Sequence, residues 1–266
     1  MNGVAEYSNK TLSIRISTNG FCFCTYEATA PESIKYFEYA TDKEITLAAN
    51  FEAARKKYSF LAAGTFKNIS IIIDSEEFTT IPTEYEGSNE NMFRCCFPQT
   101  PVDSKIISNR LTAQGITVLF AIEKSLYDSI NTLGTVTYYA PISIILGYLA
   151  QQPLRNDKYL FVNIHKDRSL ILSMEGSKLQ LSNSFSSSEE SNHIYYILSI
   201  WQECGLSQVN DKLYICGGNS AEGIILSIEK FIRHIERINP NELFRSNLLN
   251  KIENIPFDLQ ALLLCE

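Results

Sequence analysis

Several features of secreted, membrane-bound and nucleic-acid-binding proteins are missing from this 266-residue sequence. The longest apolar stretch, at 142–150, is far shorter than the roughly 20 residues that cross a bilayer. The first twenty residues contain no apolar segment typical of a signal peptide. The formal net charge of −7 disfavours nonspecific binding to nucleic acid or to anionic lipid. We therefore expect a cytoplasmic protein that neither inserts into a membrane nor binds nucleic acid.

Familiar signatures of catalytic and metal sites are missing as well. The seven cysteines include no Cys-x-x-Cys pair, which a zinc site would require, so we expect reduced thiols and no metal. His165, His193 and His234 are too widely spaced to suggest a catalytic pair. The sequence contains neither a Gly-x-Ser-x-Gly elbow nor a Walker loop.

A repeated order of predicted elements is the most informative feature that is present. The first half has a strand at 12–18, a turn at Asn19–Gly20, strands at 21–26 and 34–39, a helix over 44–60 and a continuous apolar strand at 69–73. Asp42 is a candidate cap for that helix and Gly64 a candidate stop. The second half repeats this order, with strands at 159–165, 168–174 and 178–185, a helix opened by the Ser187-x-x-Glu190 capping box and a buried strand at 213–216.

The repeat predicts an α/β protein of two similar lobes, 1–153 and 154–266, each with a mixed β-sheet flanked by helices. Between the two repeats we predict strands at 106–111, 116–121 and 136–139 and helices at 124–133 and 141–151. The polar run 84–91 is predicted to be an exposed insertion that could bind a partner. The apolar end, 257–264, docks either on its own core or on a partner.

This order resembles the actin-like ATPase fold of actin, hexokinase and the Hsp70 chaperones, which has a ribonuclease H-like sheet in each lobe. More specifically, the runs at 12–24 (LSIRISTNGFCFC) and 212–218 (KLYICGG) look like an uncharacterised bacterial family that carries a domain-of-unknown-function label and has been assigned this fold. The chain is also similar to the cytoplasmic assembly proteins of type IV pili and type II secretion.

The resemblance implies where a nucleotide would bind. In the ATPases, the first hairpin of each lobe cradles phosphates; aspartates there organise the metal, and glycines admit the phosphates to the backbone. Here the metal-organising position holds Arg15, and Ser17, Thr18 and Asn19 supply polar groups where the family carries Gly and Thr. The second hairpin reads Asn163-Ile-His165 where the family has Asp-x-Gly, and Asp167 follows in the turn.

A glycine pair is the part of the family pattern that is best kept. Gly217, Gly218 and Asn219 follow a buried strand and precede a helix, which resembles the adenosine motif. A tight strand-to-helix turn without a ligand would have the same sequence. The candidate nucleotide cleft therefore comprises Ser17, Thr18, Asp167, Gly217, Gly218 and Asn219.

With only one of three motifs retained, we predict a non-catalytic binding or scaffold protein with an unknown protein partner and no cofactor. The alternative is a divergent ATPase or kinase that binds ATP with Mg²⁺. A nuclease of this fold would need acidic residues at several strand ends to hold two metals. Arg15 occupies the first of these positions and Asp74 alone lies near a buried strand end, so a nuclease is disfavoured.

Overall fold

A computed structural model describes residues 7–27, 29–62, 66–152, 157–238 and 255–265. These residues form two compact units, divided between Ile144 and Ile145. The division falls inside a helix, whereas the predicted lobe boundary at 153 lies outside the described residues. Each unit contains a five-stranded mixed sheet.

The sheet of the first unit is built around a central buried strand, β1 (Thr11–Ser17). Its neighbours are β2 (Gly20–Glu27), β3 (Ala30–Tyr39), β4 (Asn68–Ile73) and β8 (Val136–Tyr139), in the order β3-β2-β1-β4-β8. The β1–β2 and β2–β3 pairs are antiparallel, while β1–β4 and β4–β8 are parallel. Because side chains alternate along a strand, Ile14 and Ile16 share one face of β1, and Arg15 and Ser17 share the other.

Helices α1 (Leu47–Lys57) and α2 (Ser59–Ala62) cover one face of this sheet with aromatic contacts. Phe21 and Phe51 lie 6.2 Å apart between ring centroids, and Phe37 and Phe60 lie 5.1 Å apart. Thr46 caps α1, since its Oγ1 accepts a hydrogen bond from Ala49 N at 3.2 Å. The prediction of one helix over 44–60 capped by Asp42 was therefore wrong at its start, and the predicted stop at Gly64 lies outside the described residues.

The first unit also carries an insertion between β4 and α4 (Lys124–Asn131). A three-stranded antiparallel sheet in the order β5-β7-β6 packs against helix α3 (Asn89–Cys96). Its strands are β5 (Phe78–Pro82), β6 (Lys105–Leu111) and β7 (Ile116–Ile122), which confirms the two strands predicted here. Phe93 and Leu119 form its small core. Most of the polar run 84–91 is exposed, as predicted.

The amide side chain of Asn109 joins the insertion to the edge strand of the main sheet. Its Nδ2 donates to Tyr138 O at 2.8 Å, and its Oδ1 accepts from Ala140 N at 2.9 Å. The side chain thus substitutes for a neighbouring strand at the point where α5 (Pro141–Ala150) begins.

The second unit repeats the topology of the first, which confirms the predicted duplication. Strands β9 (Lys158–His165), β10 (Arg168–Glu175), β11 (Lys178–Ser186), β12 (Lys212–Cys216) and β13 (His234–Arg237) are ordered β11-β10-β9-β12-β13. Helices α6 (Glu190–Glu203) and α7 (Glu222–Ile228) connect the parallel strands. Their buried side chains, including Ile197 and Ile225, pack with Leu160, Val162 and Ile215 of the sheet.

The apolar end of the chain docks on the core of the second unit. Helix α8 (Phe257–Cys265) places the Phe257 ring 5.2 Å from Tyr148 and 5.7 Å from Phe161 between centroids. Leu259 is fully buried. Of the two predicted places for this segment, its own core is the one observed.

Candidate functional site

The candidate residues of the first unit lie where β1 turns into β2. The Ser17 hydroxyl donates to Gly20 O at 2.9 Å, so it closes the hairpin turn. The carbonyl of Thr18 accepts from Thr41 Oγ1 at 2.7 Å, and the Thr18 side chain is exposed. The Ser17 hydroxyl and the Thr18 carbonyl are therefore each engaged in a hydrogen bond within the first unit.

A buried ion pair lies beside this turn. Arg15 and Asp74 are almost inaccessible, and Arg15 Nη2 is 2.8 Å from Asp74 Oδ2. Asp74 follows β4, and its N–H donates to Ile16 O at 2.9 Å, which continues the parallel pairing of β4 with β1. Because the carboxyl ends of neighbouring parallel strands meet at one edge of a sheet, the carboxylate reaches the guanidinium.

These groups do not fit a magnesium site. Mg²⁺ binds carboxylates and phosphate oxygens, and the position that the resemblance assigns to its aspartate holds a cation instead. The nearby carboxylate of Asp74 is engaged by Arg15. Among the described residues, no group of three or more His, Cys, Asp and Glu side chains is placed to hold a metal ion.

The equivalent strand of the second unit carries a neutral pair. Asn163 lies opposite Cys216 in the parallel β9–β12 register, and the Cys216 thiol donates to Asn163 Oδ1 at 3.2 Å. Burial raises the pKa of the Cys216 thiol well above its ordinary value, and the nearby Asp258 carboxylate raises it further. The thiol is therefore protonated near neutral pH and donates to the amide oxygen.

The hairpin turn that follows β9 consists of Lys166 and Asp167. Asp167 O accepts from Ser187 N at 2.7 Å, and its side chain is partly exposed. His165 ends β9 and is also partly exposed. Lys166 has φ 56°, a left-handed conformation that is unusual for a residue other than glycine.

The two glycines after β12 are needed for different reasons. A Cβ on Gly217 would lie 2.7 Å from Ile164 O and 2.9 Å from Ile164 Cβ, so only glycine permits the close approach to β9. Gly218 has φ 55°, and a Cβ there would meet nothing within 4 Å. The close packing on Ile164 and the φ of 155° thus explain Gly217 without a ligand, while Gly218 leaves open space. Asn219 lies in the 3-10 turn Gly218–Ala221.

Within each unit, the candidate residues collect at the carboxyl end of the first strand. In the second unit, the Asp167 turn and the glycine pair lie at the same edge of the sheet, because Gly217 packs on Ile164 of β9. Ser17 and Thr18 occupy the matching edge of the first sheet. Sequence reasoning missed two pairings here, Arg15 with Asp74 and Asn163 with Cys216. The position of Asp74 directly after an apolar strand was the available signal.

Comparison with known proteins identifies the family. Residues 2–235 match the family described as "Protein of unknown function (DUF3822)". The chain belongs to this family. None of the curated proteins matches the sequence.

Comparison with solved structures shows the fold. A Bacteroides thetaiotaomicron protein with actin-like ATPase fold and unknown function is 28% identical, with 100% of both chains covered and a TM-score of 0.83. A chain of the PilM-PilN type IV pilus biogenesis complex is 12% identical, with 96% of this chain and 98% of that chain covered and a TM-score of 0.62. The chain therefore has the actin-like ATPase fold, as the resemblance implied. No helix within the described ranges is long and apolar enough to cross a membrane.

Proposed function

We propose that this protein is a cytoplasmic, non-catalytic binding or scaffold protein that keeps the frame of an actin-like ATPase without its metal chemistry. The observation that carries the proposal is the buried ion pair of Arg15 and Asp74, since Arg15 stands where the resemblance expects the metal-organising aspartate.

The energetics of this pair oppose metal binding. Freeing the Asp74 carboxylate for a cation would separate it from the buried Arg15 guanidinium. Breaking a buried ion pair in this way costs about 3–5 kcal/mol. Metal binding at this position would have to offset that cost while also overcoming repulsion by Arg15.

The second unit supports the same conclusion independently. Asn163 is a neutral amide that accepts from the Cys216 thiol, so β9 presents no carboxylate at the equivalent position. Asp167 is the nearest acidic residue along the chain. It lies in a turn, where its backbone carbonyl accepts a hydrogen bond from Ser187 N.

A role in protein binding is supported by one structural relative and one surface. The similar chain of the PilM-PilN type IV pilus biogenesis complex has the same fold and is named as part of a protein complex. In the present chain, the insertion exposes the polar segment 84–91 to solvent. A partner that binds this segment should be lost when the segment is replaced by a glycine-serine linker of equal length.

The proposal is tested by isothermal titration of the folded protein with ATP and ADP, with and without Mg²⁺. We expect no binding heat up to millimolar nucleotide. Micromolar binding that is abolished by Gly218→Asp would overturn the proposal, provided that Gly205→Asp leaves it intact. Gly205 is the matched control, because it has φ 63° and, like Gly218, open space where a side chain would project. Gly217 is unsuitable, since any side chain there disturbs β9.

A divergent ATPase or kinase is the second candidate, and the open space at Gly218 is the observation that favours it. This candidate requires ATP turnover with a bound Mg²⁺ and loss of metal binding in Asp167→Asn. Turnover that is unchanged in Asp167→Asn and in Gly218→Asp would indicate a contaminating enzyme.

A further inference from the structure

Ser187, in the short connection between β11 and α6, is hydrogen-bonded through its amide, its hydroxyl and its carbonyl. Its N–H donates to Asp167 O at 2.7 Å. Its Oγ accepts from Glu189 N at 3.0 Å and from Asn192 Nδ2 at 2.9 Å. Its carbonyl oxygen lies 2.9 Å from His193 Nε2. Ser187 therefore connects the β9–β10 turn to the first turn of α6.

This arrangement differs from the predicted capping box. Helix α6 begins at Glu190, and its capping residue Glu189 makes no side-chain cap bond. Ser187 thus lies outside the helix, and its hydroxyl accepts from Glu189, which precedes the helix, and from Asn192 in its first turn. The predicted capping box was wrong, and the serine has a different part in the structure.

His193 is buried in the core and contacts the backbone carbonyl of Ser187. The side chain is 4% exposed, and its Nδ1 lies 2.6 Å from the hydroxyl of Ser169, which is fully buried on β10. A carbonyl oxygen can only accept, so Nε2 carries the proton and donates to Ser187 O. In the neutral ring Nδ1 then accepts from the Ser169 hydroxyl. Both ring nitrogens are satisfied by fixed partners in one tautomer.

The turn at the far end of this chain of hydrogen bonds is strained. Lys166 is the single residue other than glycine with a positive φ within the described ranges. Such conformations persist when the surrounding structure holds them in place. The adjacent residue, Asp167, is held through its carbonyl by Ser187 N, and Ser187 is in turn held by His193.

We propose that His193 is a conformational latch that couples the Lys166–Asp167 turn to the beginning of α6. The hydrogen bonds run from Ser169 through His193 and Ser187 to Asp167. A displacement of the Lys166–Asp167 turn is therefore transmitted to the beginning of α6. A displacement of the beginning of α6 likewise allows the strained turn to relax. The inference does not depend on the proposed function, because it requires neither a nucleotide nor a partner.

The latch is tested by amide hydrogen exchange of the 266-residue chain, measured by NMR. His193→Phe keeps an aromatic ring but removes both hydrogen bonds, and we expect the Ser187 amide to exchange about ten-fold faster, the effect of losing one net hydrogen bond. His193→Gln retains a donor for Ser187 O and should restore slow exchange. The Gly176 amide, which donates to Asp157 O at 3.1 Å in another turn of this unit, should be unchanged.

A second pair of variants separates the latch from general destabilisation. Ser169→Ala removes the donor to Nδ1, whereas Ser173→Ala changes an equally buried serine on the same face of β10. We expect faster exchange at Ser187 in the first variant and not in the second. Equal acceleration at Ser187 and Gly176 would overturn the proposal, as would no acceleration at Ser187 in the folded variants.

The wild-type protein provides a test that does not depend on the folding of any variant. Nitrogen-15 NMR of the imidazole should show a single tautomer protonated at Nε2, with a slowly exchanging N–H. A tautomer protonated at Nδ1, or a rapidly exchanging mixture, would refute the latch.

Discussion

Replacing Gly217 by alanine should destabilise the second unit far more than the same change at Gly218. A methyl group on Gly217 would lie 2.7 Å from Ile164 O and 2.9 Å from Ile164 Cβ. Because the oxygen belongs to the central strand of the sheet, it cannot move without disturbing the ladder. Forced overpacking of this kind costs about 1–3 kcal/mol.

The backbone conformation adds to this cost. Gly217 has φ 155°, which L-residues rarely adopt, and residues in such regions cost about 1–3 kcal/mol. We therefore expect Gly217→Ala to lower the free energy of unfolding by about 2–6 kcal/mol, the sum of the two contributions. Gly218→Ala introduces no clash, and its left-handed strain of about 1–2 kcal/mol is partly offset by a less flexible unfolded chain.

Urea denaturation followed by tryptophan fluorescence measures this difference. The single tryptophan of the sequence, Trp201, is 3% exposed on α6 and therefore reports the second unit. Gly205→Ala provides the matched control, since Gly205 has φ 63° and open space at the Cβ position. It should behave like Gly218→Ala. Equal losses at Gly217 and Gly218 would refute the packing argument and would mean that something other than β9 requires the glycine pair.

Three further outcomes are expected. Arg15→Met should cost about 3–5 kcal/mol because it removes the cation that pairs with the buried Asp74 carboxylate, and adding Asp74→Leu should recover most of this loss in a denaturation cycle. Additive losses would contradict the pairing. The pKa of the Cys216 thiol is higher in the folded than in the unfolded protein, so the thiol ionises first in the unfolded state. The free energy of unfolding is therefore unaffected below about pH 9 and falls as the pH rises further, by at most about 1.4 kcal/mol per pH unit. Cys216→Ala should flatten the stability profile between pH 9 and 10, and an unchanged slope would argue against the buried thiol. Asn109→Ala leaves two backbone groups of the β8–α5 junction unpaired and should cost about 1–3 kcal/mol in thermal or urea unfolding, whereas a loss below measurement error would mean that water replaces the amide.

The strands and the duplicated order of elements could be read from the sequence, because their causes are local. Alternation of apolar and polar residues from Leu12 to Ser17 marks a strand whose two faces differ, and Asn19–Gly20 marks a hairpin turn. Helix ends were less predictable. Both Asp42 and Thr46 are good capping residues, and the structure uses Thr46. Ser187 and Glu190 have the spacing of a capping box, yet the backbone of Ser187 hydrogen-bonds to Asp167 in the β9–β10 turn and to the buried His193.

The candidate site depended on tertiary structure for a different physical reason. Sequence by itself determined that Arg15 stands where the resemblance expects an aspartate, and that a glycine pair follows the buried strand of the second unit. Only the fold decided that Asp74, far along the chain, neutralises Arg15, because their meeting requires β4 to return parallel beside β1. Only the fold decided that Gly217 is enclosed by Ile164 while Gly218 faces open space. Local patterns specify each strand, whereas side-chain partners at the strand ends depend on which strands become neighbours.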